Sequence, residues 1–377
     1  MKLNYFTYNG VWDSSFDDSF DSTQTLVIVF STYPAEALQE PLDDISTHFK
    51  NSIIIGASTS GNILLNELRE NSLVVTVIKF ASTTLQLVSN KIHSMQDSFK
   101  VGQELASQLH NKDLKDVFVL SNGLQTNGSK LTDGLNSILN KSITTSGALA
   151  GDDAKFESTY IIINNQTYED YICAVGFYGE NIHFETASKN GLDKFGVQRI
   201  VTNSKNNILY ELDKQPALEI YKKYLGDKAK DLPSSGLYFP LAIKYPSHKE
   251  IIRTILSVNH QENSITFAGD IPQGSTVSFM KANYDRLIDG ANEAANELDF
   301  DKYKGEPLLC IAVSCIARKL VLKQRTEEEL EAVFDVLPPN TLQVGMYSFG
   351  EISPTKTQCC QLHNQTMTLT AIWEKDA

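Results

Sequence analysis

The residues best suited to chemistry lie in a few short stretches. Near the C-terminus, residues 345–351 (GMYSFGE) precede Leu362-His363-Asn364-Gln365-Thr366, with Pro354 and a polar run at 355–358 between them. A carboxylate, an imidazole and an amide in a segment with few apolar side chains exceed what packing requires. The spacing predicts two strands whose connection brings Glu351, His363 and Asn364 near one another. Upstream, Ser314-Cys315 with Arg318 closes an apolar run. A guanidinium beside a thiol depresses its pKa. A nucleophile also needs a positioned base, and His363 is the histidine in a suggestive context. The plainer alternative makes Cys315 a small buried hydrophobe and has Arg318 orient an anionic group. Cys310 and Cys315 are five apart, face opposite sides of one strand and share no metal.

Two glycine-bearing stretches lie in the front half. Gly56-Ala57-Ser58-Thr59-Ser60-Gly61 follows a strand. Its glycines allow close backbone approach, and its hydroxyls and N–H groups suit a carboxylate or phosphate. A tight turn with hydroxyl self-bonding is the competing reading. It is neither a P-loop nor a dinucleotide fingerprint. Ser146-Gly147-Ala148-Leu149-Ala150-Gly151-Asp152-Asp153 is similar. Adjacent aspartates in extended chain point opposite ways, so a carboxylate pair for acid–base work is excluded and an Asp capping its own loop is expected.

Composition sets the outer bounds. The 377 residues carry a net charge of −13, with 33 Lys+Arg against 46 Asp+Glu, and offer no basic face for nucleic acid or anionic membrane. Apolar runs are strand-sized, well short of the ~20 residues of a membrane span. No basic-then-apolar leader opens the chain. Five cysteines, two of them adjacent, read as free thiols of a reducing cytoplasm rather than a disulfide framework. Scattered histidines and the lack of any Cys-x-x-Cys give no metal site, and no cofactor is expected.

The elements that must position these residues mix hairpins with helices. Strands are expected at Thr25–Ser31, 52–55, 72–80, 84–92 and 116–120, with helices at 35–50, 96–109 and 132–140, and a loop at 144–153. A hairpin spans 159–178 and 181–187 continues its sheet. The second half adds helices at Ala217–Leu225, 284–297 and 327–334 among strands at 237–243, 250–259, Ser264–Phe267, Thr276–Lys281, 308–314, 342–348 and 367–373. This is not the strict alternation of a doubly wound sheet. The fold class is α+β: two mixed domains, largely antiparallel sheets covered by helices, at 25–212 and 213–377 after an N-terminal extension, 1–24. No repeat of fixed period is visible.

Taken together, the two glycine stretches, the strands at 72–87, the run Val201-Thr202 … Leu209-Tyr210-Glu211-Leu212-Asp213 with Pro216-Ala217, then Pro272-Gln273-Gly274-Ser275-Thr276-Val277, Cys315 with Arg318, 345–351 and His363-Asn364-Gln365-Thr366 resemble the FIST family, N-terminal and C-terminal domains in order. The resemblance covers the chain from about residue 25 onward. It implies an intracellular sensory module for small ligands, amino acids among them. Such modules stand alone or are joined to histidine kinases, chemotaxis receptors, cyclic-dinucleotide enzymes or an F-box. None of those partners follows here, so a stand-alone cytoplasmic protein with output through an unknown signalling partner is expected. The site then assembles around a small polar ligand. Ser58, Thr59 and Gly61 donate; Gly147, Gly151 and Asp152 form a close wall. Arg318 meets a carboxylate bidentately and Glu351 an ammonium, while Cys315, His363 and Asn364 complete the lining. Two alternatives stay open: an enzyme with Cys315 as nucleophile and His363 as base, and a ligand-free interaction adaptor.

Overall fold

The computed structural model describes residues 1–153, 155–244, 250–354 and 359–375, so the polar run at 355–358 lies outside the described residues. Three runs, Thr25–Ser31, Leu114–Ser121 and Leu308–Cys315, are buried along nearly their whole length. A strand apolar on both faces must be covered on both, and each run is the centre of a six-stranded sheet. Each is followed by helix (Gln39–His48; Gly128–Asn136; Ile316–Leu322 with Thr326–Phe334) and then by a second strand, Ile53–Ser58, Thr144–Leu149 or Thr341–Ser348, lying parallel to the first.

Each second strand carries a glycine at the same register position. Gly56 pairs with Val29, Gly147 with Val119 and Gly345 with Ala312. A Cβ there would fall 2.1, 1.9 and 1.8 Å from the partner's carbonyl oxygen, so only glycine fits. After the second strand comes a short hairpin: Asn62–Leu64 with Glu67–Arg69, Ile161–Ile163 with Gln166–Tyr168, and Gly350–Pro354 with Cys360–His363. A return strand (Leu73–Lys79, Tyr171–Tyr178, Met367–Glu374) then runs antiparallel to the first. The strand that opens each unit (Lys2–Tyr8, Thr84–Lys91, Ile182–Lys189) covers the return strand's outer edge.

The chain is therefore three copies of one unit. The copies exchange hairpins cyclically. The first unit's hairpin pairs with Thr341–Ser348 of the third, the second's with Ile53–Ser58 of the first, and the third's with Thr144–Leu149 of the second. The inner faces share one core, to which Phe30, Phe118, Val175, Ile311 and Met346 contribute. Between Ile182–Lys189 and helix Tyr284–Asn296 the third unit carries an insert, a fourth sheet running from Asp193–Lys205 to Thr276–Lys281. It packs with helix Ala217–Leu225 around Leu218, Tyr221 and Phe279.

The mixed α+β class holds. Several boundaries differ from expectation. Residues 1–24 contain the edge strand Lys2–Tyr8 rather than only an extension. The loop expected at 144–153 is a buried strand through Leu149. The boundary at 212/213 falls inside the inserted sheet, between Ile208–Leu212 and Gln215–Pro216, which pair.

Candidate functional site

Ligands of parallel-strand folds bind at the carboxyl ends of the strands, and two clefts open there. The first, of about 380 Å³, brings together the two front-half glycine stretches. Ser58, Thr59, Gly61, Gly151 and Asp152 all line it, and Lys319 reaches in from the back half. Its polar groups are largely satisfied internally. Ser58 Oγ accepts from the Tyr160 amide (3.1 Å), and Thr59 Oγ1 donates to Asn62 Oδ1 (2.6 Å) and accepts from the Gly61 amide (3.2 Å). A Cβ on Gly151 would lie 2.4 Å from Ser60 Oγ. Asp152 caps its own loop, accepting from the amides of Phe156 (2.9 Å), Glu157 (2.7 Å) and Ser158 (3.1 Å). Lys319 Nζ donates to the Ser60 carbonyl (2.8 Å), Glu70 (2.6 Å) and Asp153 (2.9 Å). Gly147 lines none of the clefts; its place is against Val119 within the sheet.

The second cleft, of about 440 Å³, lies among the loop after Leu114–Ser121, the start of helix Ile316–Leu322 and the inserted sheet. Leu124, Leu237, Ile255, Ile316 and Leu320 make its walls mainly apolar, and among the described residues no charged side chain lines it. Phe156 and Phe349 stack beside it, ring centres 4.8 Å apart and planes 18° apart. Cys315 and Asn364, both singled out from sequence, face this cleft and not the first. Asn364 is 0% exposed, and both its Oδ1 and Nδ2 lack a hydrogen-bond partner among the described residues. Thr126 and Thr254, lining the same cleft and 5% exposed each, also have unpartnered hydroxyls. Buried polar groups are nearly always paired, so three unpartnered ones converging on one hollow mark it out.

Arg318 and Glu351 take neither role expected of them. The Arg318 guanidinium is wholly buried and paired with Glu329 (2.8 Å); it also donates to the carbonyls of Asn190 (2.7 Å), Leu287 (2.7 Å) and Gln365 (3.4 Å). Glu329 accepts further from Tyr347 (2.6 Å) and Ser314 (3.1 Å). No donor is left for a ligand carboxylate. Glu351 is equally buried and accepts from the Thr366 hydroxyl (2.7 Å) and amide (3.1 Å) and from Ser348 (3.2 Å). Burial outweighs these bonds and raises its pKa from 4.5 to about 8.

Burial, then the charge of the Glu351 carboxylate, push the Cys315 thiol well above its usual range. The depressed pKa expected from Arg318 is not what the site produces. His363 borders a third cleft, of about 570 Å³, and its Nε2 lies 3.2 Å from the Ser353 carbonyl. Burial lowers its pKa to about 4. Glu351, not His363, is thus the charged group that acts on Cys315.

The sequence-derived site residues divide among two carboxyl-end clefts, a third cleft and the core. Sequence reasoning missed Thr126 and Thr254. Thr126 lies between the strand expected at 116–120 and the helix expected at 132–140. Thr254 sits where the expected strand 250–259 breaks into Ile251–Arg253 and Ile255–Asn259. No local signal marks either.

The chain matches the FIST N domain over residues 25–215 and the FIST C domain over 217–354. It is also 22% identical over 329 residues to an uncharacterized protein of Methanocaldococcus jannaschii, covering 81% of this chain and 62% of that relative. The chain thus spans under two thirds of that relative's length. FIST domains are associated with sensory signal transduction. Matched along most of its length by both domains in order, the chain belongs to the FIST family.

Proposed function

We propose that the protein is a small-ligand sensor whose ligand occupies the 440 Å³ cleft beside the inserted sheet. The observation that carries this reading is that Asn364, Thr126 and Thr254, buried and unpartnered among the described residues, line one hollow whose walls are mainly apolar, with Asn127, Asn207 and Ser234 as further polar residues. Apolar walls with a few convergent polar groups are what small-molecule sites have in common. The cleft is bounded by two of the three units and by the insert, so an occupant would alter how the insert seats on the body. Output would pass through a signalling partner. Among the described residues no helix is long and apolar enough to cross a membrane, and the five cysteines are free, which agrees with a cytoplasmic setting.

An amino-acid ligand is better served by the polar cleft, where Lys155 and Lys319 face Glu36, Glu70 and Asp152. Lys319 is already engaged by three acceptors there, so we place the ligand in the apolar cleft. The test is a thermal-shift screen of amino acids and uncharged metabolites on the native protein and on Leu320→Trp, which fills the apolar cleft. A compound that stabilises the first and not the second supports the reading. Stabilisation that survives the substitution contradicts it.

A further inference from the structure

The wall of the apolar cleft narrows the chemistry of what it holds. Asn364 offers an acceptor and a donor side by side in one plane, both unpartnered among the described residues. A buried polar group left so is destabilising, and the amide has two of them. The pattern complementary to such an amide is an N–H adjacent to a C=O, as when Asn reads the edge of a base with both its atoms. The Thr126 and Thr254 hydroxyls, each able to donate or accept, supply further partners. With no charged side chain on the wall among the described residues, a carboxylate or ammonium entering the cleft would be desolvated without a counter-charge there. The stacked rings of Phe156 and Phe349 add a flat apolar surface.

We infer that the ligand is an uncharged planar ring bearing a cyclic-amide edge, gripped through that edge by Asn364; this rests on the sensor reading of the same cleft. A nucleobase and a cyclic dipeptide share this chemistry.

The experiment is calorimetric titration of the full chain with uracil and hypoxanthine in one arm and cyclo(glycyl-leucine) in the other. 1,3-Dimethyluracil, which lacks the N–H donors, and leucine serve as comparisons. Binding in either arm is expected, and that arm names the source. Asn364→Leu should weaken it by about tenfold or more, the loss of at least one hydrogen bond. Dimethyluracil should bind uracil's site comparably less well. Thr254→Val gives an independent check should Asn364→Leu not fold. No binding by any cyclic amide at millimolar concentration overturns the proposal, as does binding indifferent to both substitutions. Leucine binding that is lost in Leu320→Trp overturns the ligand class and leaves the cleft in place. Binding of any probe that survives Leu320→Trp removes the cleft itself.

Discussion

The backbone amide of Gly151 donates to the carbonyl of Ser58 at 3.0 Å, joining the ends of two second strands from different units. Ser60 N bonds Tyr347 O at 2.8 Å and Phe349 N bonds Leu149 O at 3.2 Å in the same way. Counted from the buried glycine of each second strand, donor and acceptor hold the same positions in all three cases. These bonds close a ring where the hairpins cross between sheets. The glycine stretches of the front half are therefore drawn together by the architecture, and 345–351 is their third copy. Their small residues serve strand packing first, and the clefts open beside them.

That packing makes a prediction. Gly147 has φ +151°, and a Cβ would lie 1.9 Å from the Val119 carbonyl. Gly147→Ala should destabilise the protein by more than about 2 kcal/mol, since backbone must move to admit the methyl. Urea denaturation measures it; a change within about 0.5 kcal/mol, the range of ordinary surface substitutions, would show that the two strands are not so closely apposed.

Burial of Glu351 predicts a pH dependence with a definite sign. Its pKa rises from 4.5 to about 8 on folding, so the folded state holds a proton that the unfolded chain releases. Its contribution is full below 4.5 and declines as pH climbs toward 8, by roughly 3 kcal/mol at pH 7. Glu351→Gln keeps an acceptor for both Thr366 donors and removes the titration. Its stability should be flatter than the native protein's across that window in denaturation series at several pH values. Equal slopes would place the proton elsewhere.

The Arg318–Glu329 pair is structural. Arg318→Met leaves the Glu329 carboxylate buried without its cation and should cost about 3–5 kcal/mol, seen as a lowered melting temperature. Removing both charges in Arg318→Met/Glu329→Met should cost less than the two single changes summed, because no lone charge remains. Strict additivity would mean that the pair does not interact.

Thr254→Val should act oppositely on stability and binding. It removes a hydroxyl that has no partner among the described residues, which should stabilise the unliganded protein by about 1 kcal/mol. The same change should weaken any ligand of the apolar cleft. Destabilisation in the absence of ligand would show that the hydroxyl has a partner after all.

Local structure was largely legible where burial and period agree. Thr25–Ser31, Ala217–Leu225 and Ser264–Phe267 occur as read, because each is a clean apolar run or an amphipathic turn with plain ends. Thr144–Leu149 resembles a loop because Ser146, Gly147 and Ala148 are small; Gly147 must be a glycine because the Val119 carbonyl leaves no room for a Cβ. Asp193–Lys205 shows only one buried residue in thirteen and a bulge between Phe195 and Arg199, so no alternation reveals it. The threefold plan is hidden by the insert, which lengthens the third unit. Of the candidate residues, Cys315 and Asn364 line the apolar cleft. The roles of Arg318 and Glu351 depend on pairing partners, Glu329 and Thr366, that only the tertiary fold identifies.

The most direct test of the account is the position of a bound ligand. A compound that stabilises the protein in the thermal-shift screen should, in a crystal structure of the complex, lie within hydrogen-bond distance of Asn364 and Thr254 beside the Phe156–Phe349 stack. Density in the polar cleft at Ser58 and Lys319, or beside His363, with the apolar cleft left empty, would contradict it.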